Sequence, residues 1–289
     1  MSPIGPRRRF MAAVRRFVRR LIRPVVLREP NFSAKHIAFR EEQNDFSVDK
    51  PDRRERAADL PVPPRNLWVA LGAGGYGATD EEYLEIGRRT VERFVGLLEA
   101  NAAVLRDGAR ILDFGCASGR LTRWFADRAQ NGEVWGVDIS AEHVIWCQQN
   151  LSPPFHFCTT TTAPHLPFED RYFDLVFAGS VFTHIDELAD AWFLELRRIL
   201  VPGGHLLVTI NDKHSIDIVR RNPEFNLARQ ISRVECETPL GDFAMASISR
   251  SYTLYDREYL TDKLQRVFDV VATQPEIYGF QTGLLLRKR

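Results

Sequence analysis

Apolar runs and the turns between them divide most of the chain into short strands alternating with helices. Residues 109–112, broken only by Arg110, predict a buried strand that ends in Asp113 and a small-residue turn, with a helical stretch over 120–128 after it. A second strand over 134–137 ends in Asp138 and leads into a helix over 141–150, stopped by Ser152-Pro153-Pro154. A third strand follows over 155–159. Residues 175–178 are apolar throughout, as a strand covered on both faces should be. Next come a helix over 187–200, the turn Val201-Pro202-Gly203-Gly204 and a strand over 205–210. A helix over 256–268 and strands over 270–272 and 283–286 close the chain. Strand and helix repeating in this order predict an α/β, doubly wound, Rossmann-like sheet that is mostly parallel.

Two stretches break the rhythm. Residues 1–28 hold nine Arg and no acid, so a net charge of +1 hides an acidic remainder. Within 7–23, Phe10, Val14, Phe17 and Leu21 fall at helical steps among the arginines. This predicts a basic amphipathic N-terminal helix suited to peripheral contact with an anionic membrane face. Residues 29–78 read as an irregular lead-in with Pro61, Pro63 and Pro64, and 79–289 as the main domain. Residues 211–251, with scattered aromatics and Asn222-Pro223, read as an insertion rather than another strand–helix unit.

Several classes are set aside by composition and spacing. The four cysteines form no CxxC pair or zinc-finger spacing, which suits reduced thiols in a cytoplasmic protein and no metal site. No apolar run reaches the length of a membrane span. The acidic body argues against nucleic acid as partner. Gly72-Ala73-Gly74-Gly75-Tyr76-Gly77 spells a dinucleotide fingerprint after a strand-like run. A nicotinamide-dependent oxidoreductase would then need a second strand ending in an acid, but the pattern continues as a helix from Asp80 to about 103, with Thr79 and Glu82 placed as a capping box.

The candidate chemistry lies in Asp113-Phe114-Gly115-Cys116-Ala117-Ser118-Gly119. A turn of small residues lets backbone N–H groups approach a ligand closely. Asp138 stands at about the 20-residue distance at which an acid reaches a ribose. In their order, these residues resemble the cofactor site of class I S-adenosylmethionine-dependent methyltransferases. The resemblance covers about 79–289 by element order, with its specific motifs between 109 and 210.

That resemblance implies S-adenosyl-L-methionine as cofactor and an antiparallel C-terminal strand pair. Gly115, Cys116, Ala117 and Gly119 would line the methionine portion, and Asp113 would reach its ammonium. Ala117 stands where the family's middle glycine is usual, and fits there if its backbone φ is negative. Asp138 would hold the ribose hydroxyls and Ile139 would stack on adenine, with Ser140 capping the next helix. Thr162 takes the place of the family's adenine-binding acid, with the Ala163 amide as a substitute. Tyr76 or Tyr83 would close over the sulfonium.

Ligands in such sheets sit beyond the carboxyl ends of the strands, which directs attention to Ser180 and the residues up to His184. His184 is the leading general base, with Asp212, His214 and Tyr252 as rivals, and His205 reads as a sheet residue. The expected function is methyl transfer to a small-molecule acceptor, at a hydroxyl of a sugar, lipid-linked or natural-product substrate. A non-enzymatic adaptor built on the same fold is the other reading.

Overall fold

The computed structural model describes residues 60–68, 79–222, 245–249 and 252–289. The basic stretch 7–23, the glycine run 72–77 with Tyr76, and Cys236 lie outside the described residues, as does more than half of the insertion. Among the described residues, nine strands run in chain order: β1 (Arg110–Phe114), β2 (Glu133–Asp138), β3 (His156–Thr159), β4 (Phe173–Ala178), β5 (Leu200–Ile210), β6 (Met245–Ser249), β7 (Tyr252–Tyr255), β8 (Phe268–Tyr278) and β9 (Gln281–Lys288). The helices are α1 (Asp80–Ala100), α2 (Arg128–Asn131), α3 (Ala141–Asn150), α4 (Ala189–Ile199), α5 (Lys213–Arg220) and α6 (Arg257–Leu264).

Seven strands form one sheet in the order β3-β2-β1-β4-β5-β9-β8, and β6 and β7 form a separate pair. β1 to β5 are parallel, while β9 runs antiparallel to both β5 and β8. This is the doubly wound sheet with an antiparallel C-terminal pair that the sequence predicts. Alternation sends Leu112, Val176, Leu206 and Val208 to one face, where Trp192, Phe193, Leu196, Leu260 and Leu264 cover them. Ile111, Leu175, Phe177 and Leu207 point the other way, against Val91, Phe94, Leu98, Val144 and Leu151. Each such side chain contributes about 1.5–3 kcal/mol of transfer free energy when fully buried. Burial on both faces explains why these strands read as unbroken apolar runs.

The parallel register brings the two candidate acids to one edge. Asp113 pairs with Gly136, and Asp138 with Thr159, so both acids emerge at the carboxyl ends of neighbouring strands.

Four expectations are corrected. The stretch 120–128 is a 3-10 turn over Thr122–Phe125 followed by the short α2, not one helix. α1 presses so closely there that a Cβ on Gly87 would stand 2.7 Å from Arg120 O, and the backbone tightens to a Trp124 N–H bond to Leu121 O at 3.1 Å. The insertion opens with a regular helix, α5, whose Asp212 cap accepts from Ser215 N at 3.1 Å. β8 is much longer than predicted, because residues 273–276 of this edge strand are exposed and carry no apolar pattern. Finally, α6 stops at Leu264.

Candidate active site

The glycine turn is tied to β2 at three points. Gly115 and Cys116 N–H both donate to Val137 O, at 2.8 and 3.0 Å, and Ala117 N–H donates to Asp138 Oδ2 at 2.8 Å. The other Asp138 oxygen accepts from Ser140 N at 2.8 Å. Asp138 is therefore fixed by backbone donors on both oxygens, with lone pairs remaining for a ligand. Ser140 is the N-cap of α3 but makes no side-chain cap bond, so Asp138, which accepts from its N–H, does the orienting expected of Ser140.

Gly115 has φ +84°, and a Cβ there would meet Val181 Cγ2 at 2.3 Å. Gly119 has φ +71°, and a Cβ would meet Leu151 Cδ1 at 2.5 Å. Both positions require glycine on conformation and on space. Ala117 departs from expectation. Its φ is +45°, in the left-handed region, so its methyl group is carried at a conformational cost. Cys116 and Cys147 both place sulfur 3.5 Å from Ala117 O, and burial pushes the Cys116 thiol up.

Asp113 is buried, and its Oδ2 accepts from Thr122 Oγ1 at 2.7 Å. Burial pushes its carboxyl up to about 7, against the pull of the Thr122 bond.

Residues 60–68 lie across this turn as a strap. Ser118 Oγ donates to Leu67 O at 3.0 Å, and Arg123 Nη2 donates to Leu60 O at 2.5 Å and Pro61 O at 2.8 Å. His143 Nδ1 stands 2.6 Å from Ser118 Oγ. Because that hydroxyl gives its proton to Leu67, His143 is the donor. Trp68 stacks on Tyr83 at 4.6 Å and donates to Pro63 O at 2.8 Å. Tyr83 is thus a buried packing residue under the strap rather than a free lid. Ser118, Arg123 and His143 escaped the sequence reading because their partners lie 25 to 63 positions away.

Past β4, Ser180 also has a left-handed backbone, at φ +62°. Its N–H donates to Thr209 Oγ1 at 2.7 Å, and Gln281 Nε2 donates to Ser180 Oγ at 2.8 Å. His184 is exposed, with Tyr252 of β7 beside it at 6.2 Å between ring centroids. Tyr255 holds this loop from the same strand, donating to Ile185 O at 2.6 Å and Phe182 O at 3.2 Å.

The other candidates divide. Ile139 is among the exposed large apolar side chains beside Asp138. Thr162 is half-buried, and the Ala163 N–H is taken by Thr161 Oγ1 at 3.2 Å, so that amide is not free for adenine. Thr160 is buried with a hydroxyl that has no partner among the described residues, and its N–H donates to Asp138 O at 2.9 Å. Asp212 caps α5 and meets Arg257 at 3.3 Å, while His214 meets Glu276 at 3.0 Å. Both have structural partners. His205 is half-buried within β5, where desolvation and Arg287 lower its pKa. No helix among the described residues is long and apolar enough to cross a membrane.

Comparison with known proteins agrees with this geometry. The family described as "Methyltransferase domain" matches residues 112–208. The chain is 29% identical over 201 residues to a malonyl-[acyl-carrier protein] O-methyltransferase of Enterobacter lignolyticus, covering 65% of this chain and 75% of the relative. It is 38% identical over 115 residues to a ubiquinone/menaquinone biosynthesis C-methyltransferase of Bordetella avium, covering 37% of this chain and 42% of the relative. The chain thus spans less than half the length of that second relative. A solved structure from Pyrococcus horikoshii shares the fold with a TM-score of 0.50 at 20% identity, covering 72% of this chain and 92% of its own. The order of the strands, the turn clamped by Asp138 and the family match identify residues 112–208 as a class I S-adenosylmethionine-dependent methyltransferase domain.

Proposed function

We propose that this chain transfers the methyl group of S-adenosylmethionine to a hydroxyl of a small-molecule acceptor. The observation that supports this most is the pairing of an Asp138-clamped glycine turn with a polar loop, Ser180 to His184, at the next strand's carboxyl end. The cradle fits the cofactor. Gly115 and Gly119 give the turn the left-handed backbone that lets its main chain face a ligand, and Asp138 keeps free lone pairs for ribose hydroxyls. When bound, the cofactor supplies an activated methyl group.

The protein's task is then to hold the acceptor in line, where orientation alone supplies much of the acceleration. Gly115, Cys116, Ala117 and Gly119 would line the methionine portion, and Asp113 would reach its ammonium, directly or through water. Ile139 stacks on adenine, and the free Thr160 hydroxyl joins Thr162 on the adenine side. His184 removes the acceptor's proton, with Tyr252 as its neighbour.

A second reading is methyl transfer to an electron-rich ring carbon, favoured by the 38% identity to a C-methyltransferase. The same base serves it by deprotonating a ring hydroxyl. The basic stretch 7–23 would bring the enzyme to a lipid-borne acceptor. Loss of sedimentation with anionic vesicles on deletion of residues 1–28 is the expected result for that part.

Calorimetric titration with S-adenosylhomocysteine tests the core of the proposal. Micromolar binding is expected. Asp138→Ala should weaken it about a hundredfold, since hydrogen bonds to a charged group contribute about 1.5–3 kcal/mol each. A folded wild-type protein that binds no cofactor would refute the function.

A further inference from the structure

We infer that Gln281 is a positioning residue, setting Ser180 so that its hydroxyl takes a hydrogen-bond donor of the bound ligand and refuses a carboxylate. This rests on the methyltransferase reading of the site. The polar residues past β4 form a closed circuit in which each hydroxyl proton has one destination. Ser180 N–H donates to Thr209 Oγ1 at 2.7 Å, and Thr209 Oγ1 donates to Gln281 Oε1 at 2.6 Å. Gln281 Nε2 donates to Ser180 Oγ at 2.8 Å, and Thr183 Oγ1 donates to Ser180 O at 2.9 Å. Thr183 has thereby spent its only proton. In the 3.2 Å contact between the Ser180 and Thr183 hydroxyls, Ser180 must be the donor.

Reversing the Gln281 amide would leave the fully buried Thr209 hydroxyl without an acceptor, so the amide orientation is determined. Ser180 Oγ therefore offers outward one lone pair and no proton. Its left-handed backbone, at φ +62°, is held by the same circuit.

A second acceptor lies at the end of the adjacent strand. By strand alternation Thr209, Asn211 and Gln281 share one face of the sheet, and Asn211 Oδ1 is buried with no partner among the described residues. Two acceptors with capacity to spare, at the carboxyl ends of β4 and β5, call for a donor. The matching chemistry is a hydroxyl of the acceptor molecule or the ammonium of the cofactor. A carboxylate would face only lone pairs.

The experiment titrates wild type, Ser180→Ala, Ser180→Gly and Gln281→Leu with three probes. S-adenosylhomocysteine carries the ammonium, and 5′-methylthioadenosine lacks it. Phenol, against benzoate, is added to protein saturated with S-adenosylhomocysteine. Roughly five- to tenfold weaker binding in all three variants is expected for one donor probe, with 5′-methylthioadenosine and benzoate unmoved. Loss confined to S-adenosylhomocysteine identifies the ammonium as the donor, and loss confined to phenol identifies the acceptor's hydroxyl.

Ser180→Gly keeps the left-handed backbone while removing the hydroxyl. If it binds like wild type while Ser180→Ala does not, only conformation matters and the inference is overturned. Unchanged binding of both donor probes in every variant overturns it as well. Should wild type bind S-adenosylhomocysteine in that case, the cofactor reading stands and only the role of Gln281 falls.

Discussion

At φ +45°, Ala117 holds a backbone shape that glycine would hold at lower cost. Ala117→Gly should therefore stabilise the protein by up to about 1 kcal/mol in urea unfolding, the larger freedom of the unfolded glycine chain taking back part of the gain. Asp113 gives a dependence on pH. Its folded pKa of about 7 lies above the unfolded value near 3.8. The stability it contributes is thus fully present below about pH 4 and lost as pH rises through about 7. The unfolding free energy of wild type relative to Asp113→Asn should fall over that window. A cationic ligand near the carboxylate reverses the preference, so affinity for S-adenosylhomocysteine should rise through the same pH range and flatten in Asp113→Asn. Asp113, Asp138 and the two glycines were legible because local order and spacing carry them. Gln281, His143 and Thr160 were not. Hydrogen bonds spanning 25 or 101 positions leave no periodic trace in the chain.

Among the elements, β7 has the clearest testable part. Tyr255→Phe removes the donor to two carbonyls of the loop after β4, Ile185 O and Phe182 O. Leaving buried acceptors without a partner costs about 1–3 kcal/mol. The melting temperature should drop accordingly. On the proposed function, turnover should fall while the dissociation constant for S-adenosylhomocysteine stays within twofold, because the glycine turn is held from β2 instead. The interior strands were readable as apolar runs, since two helical layers leave them no polar face. Elements with weak or exposed patterns were harder to read. The 3-10 turn after Gly119 has helical composition but is compressed by α1, and the outer half of β8 is polar because it lies on an open edge. α5 owes its start to a capping aspartate, a signal present in the sequence but read there as catalytic.

For the whole molecule, the strap alters what counts as the domain. The lead-in was read as irregular and outside the main domain, and residues 60–68 of it lie on the glycine turn. Removing residues 1–78 would deprive the buried Arg123 of both carbonyl partners and uncover the Tyr83 ring. Such a truncation should lower unfolding free energy by about 1.5–3 kcal/mol, the worth of a hydrogen bond to a charged group. Removal of residues 1–28 alone should leave it unchanged. Leu60, Pro61 and Leu67 are gripped through their main-chain carbonyls, so the grip tolerates almost any side chain there. It also has a mechanical side. A pull on the first 59 residues, from whatever holds them, reaches the described fold at Leu60 and passes through Arg123 and Ser118 into the glycine turn. Tension on the N-terminus would then be felt at the glycine turn before it reached the sheet.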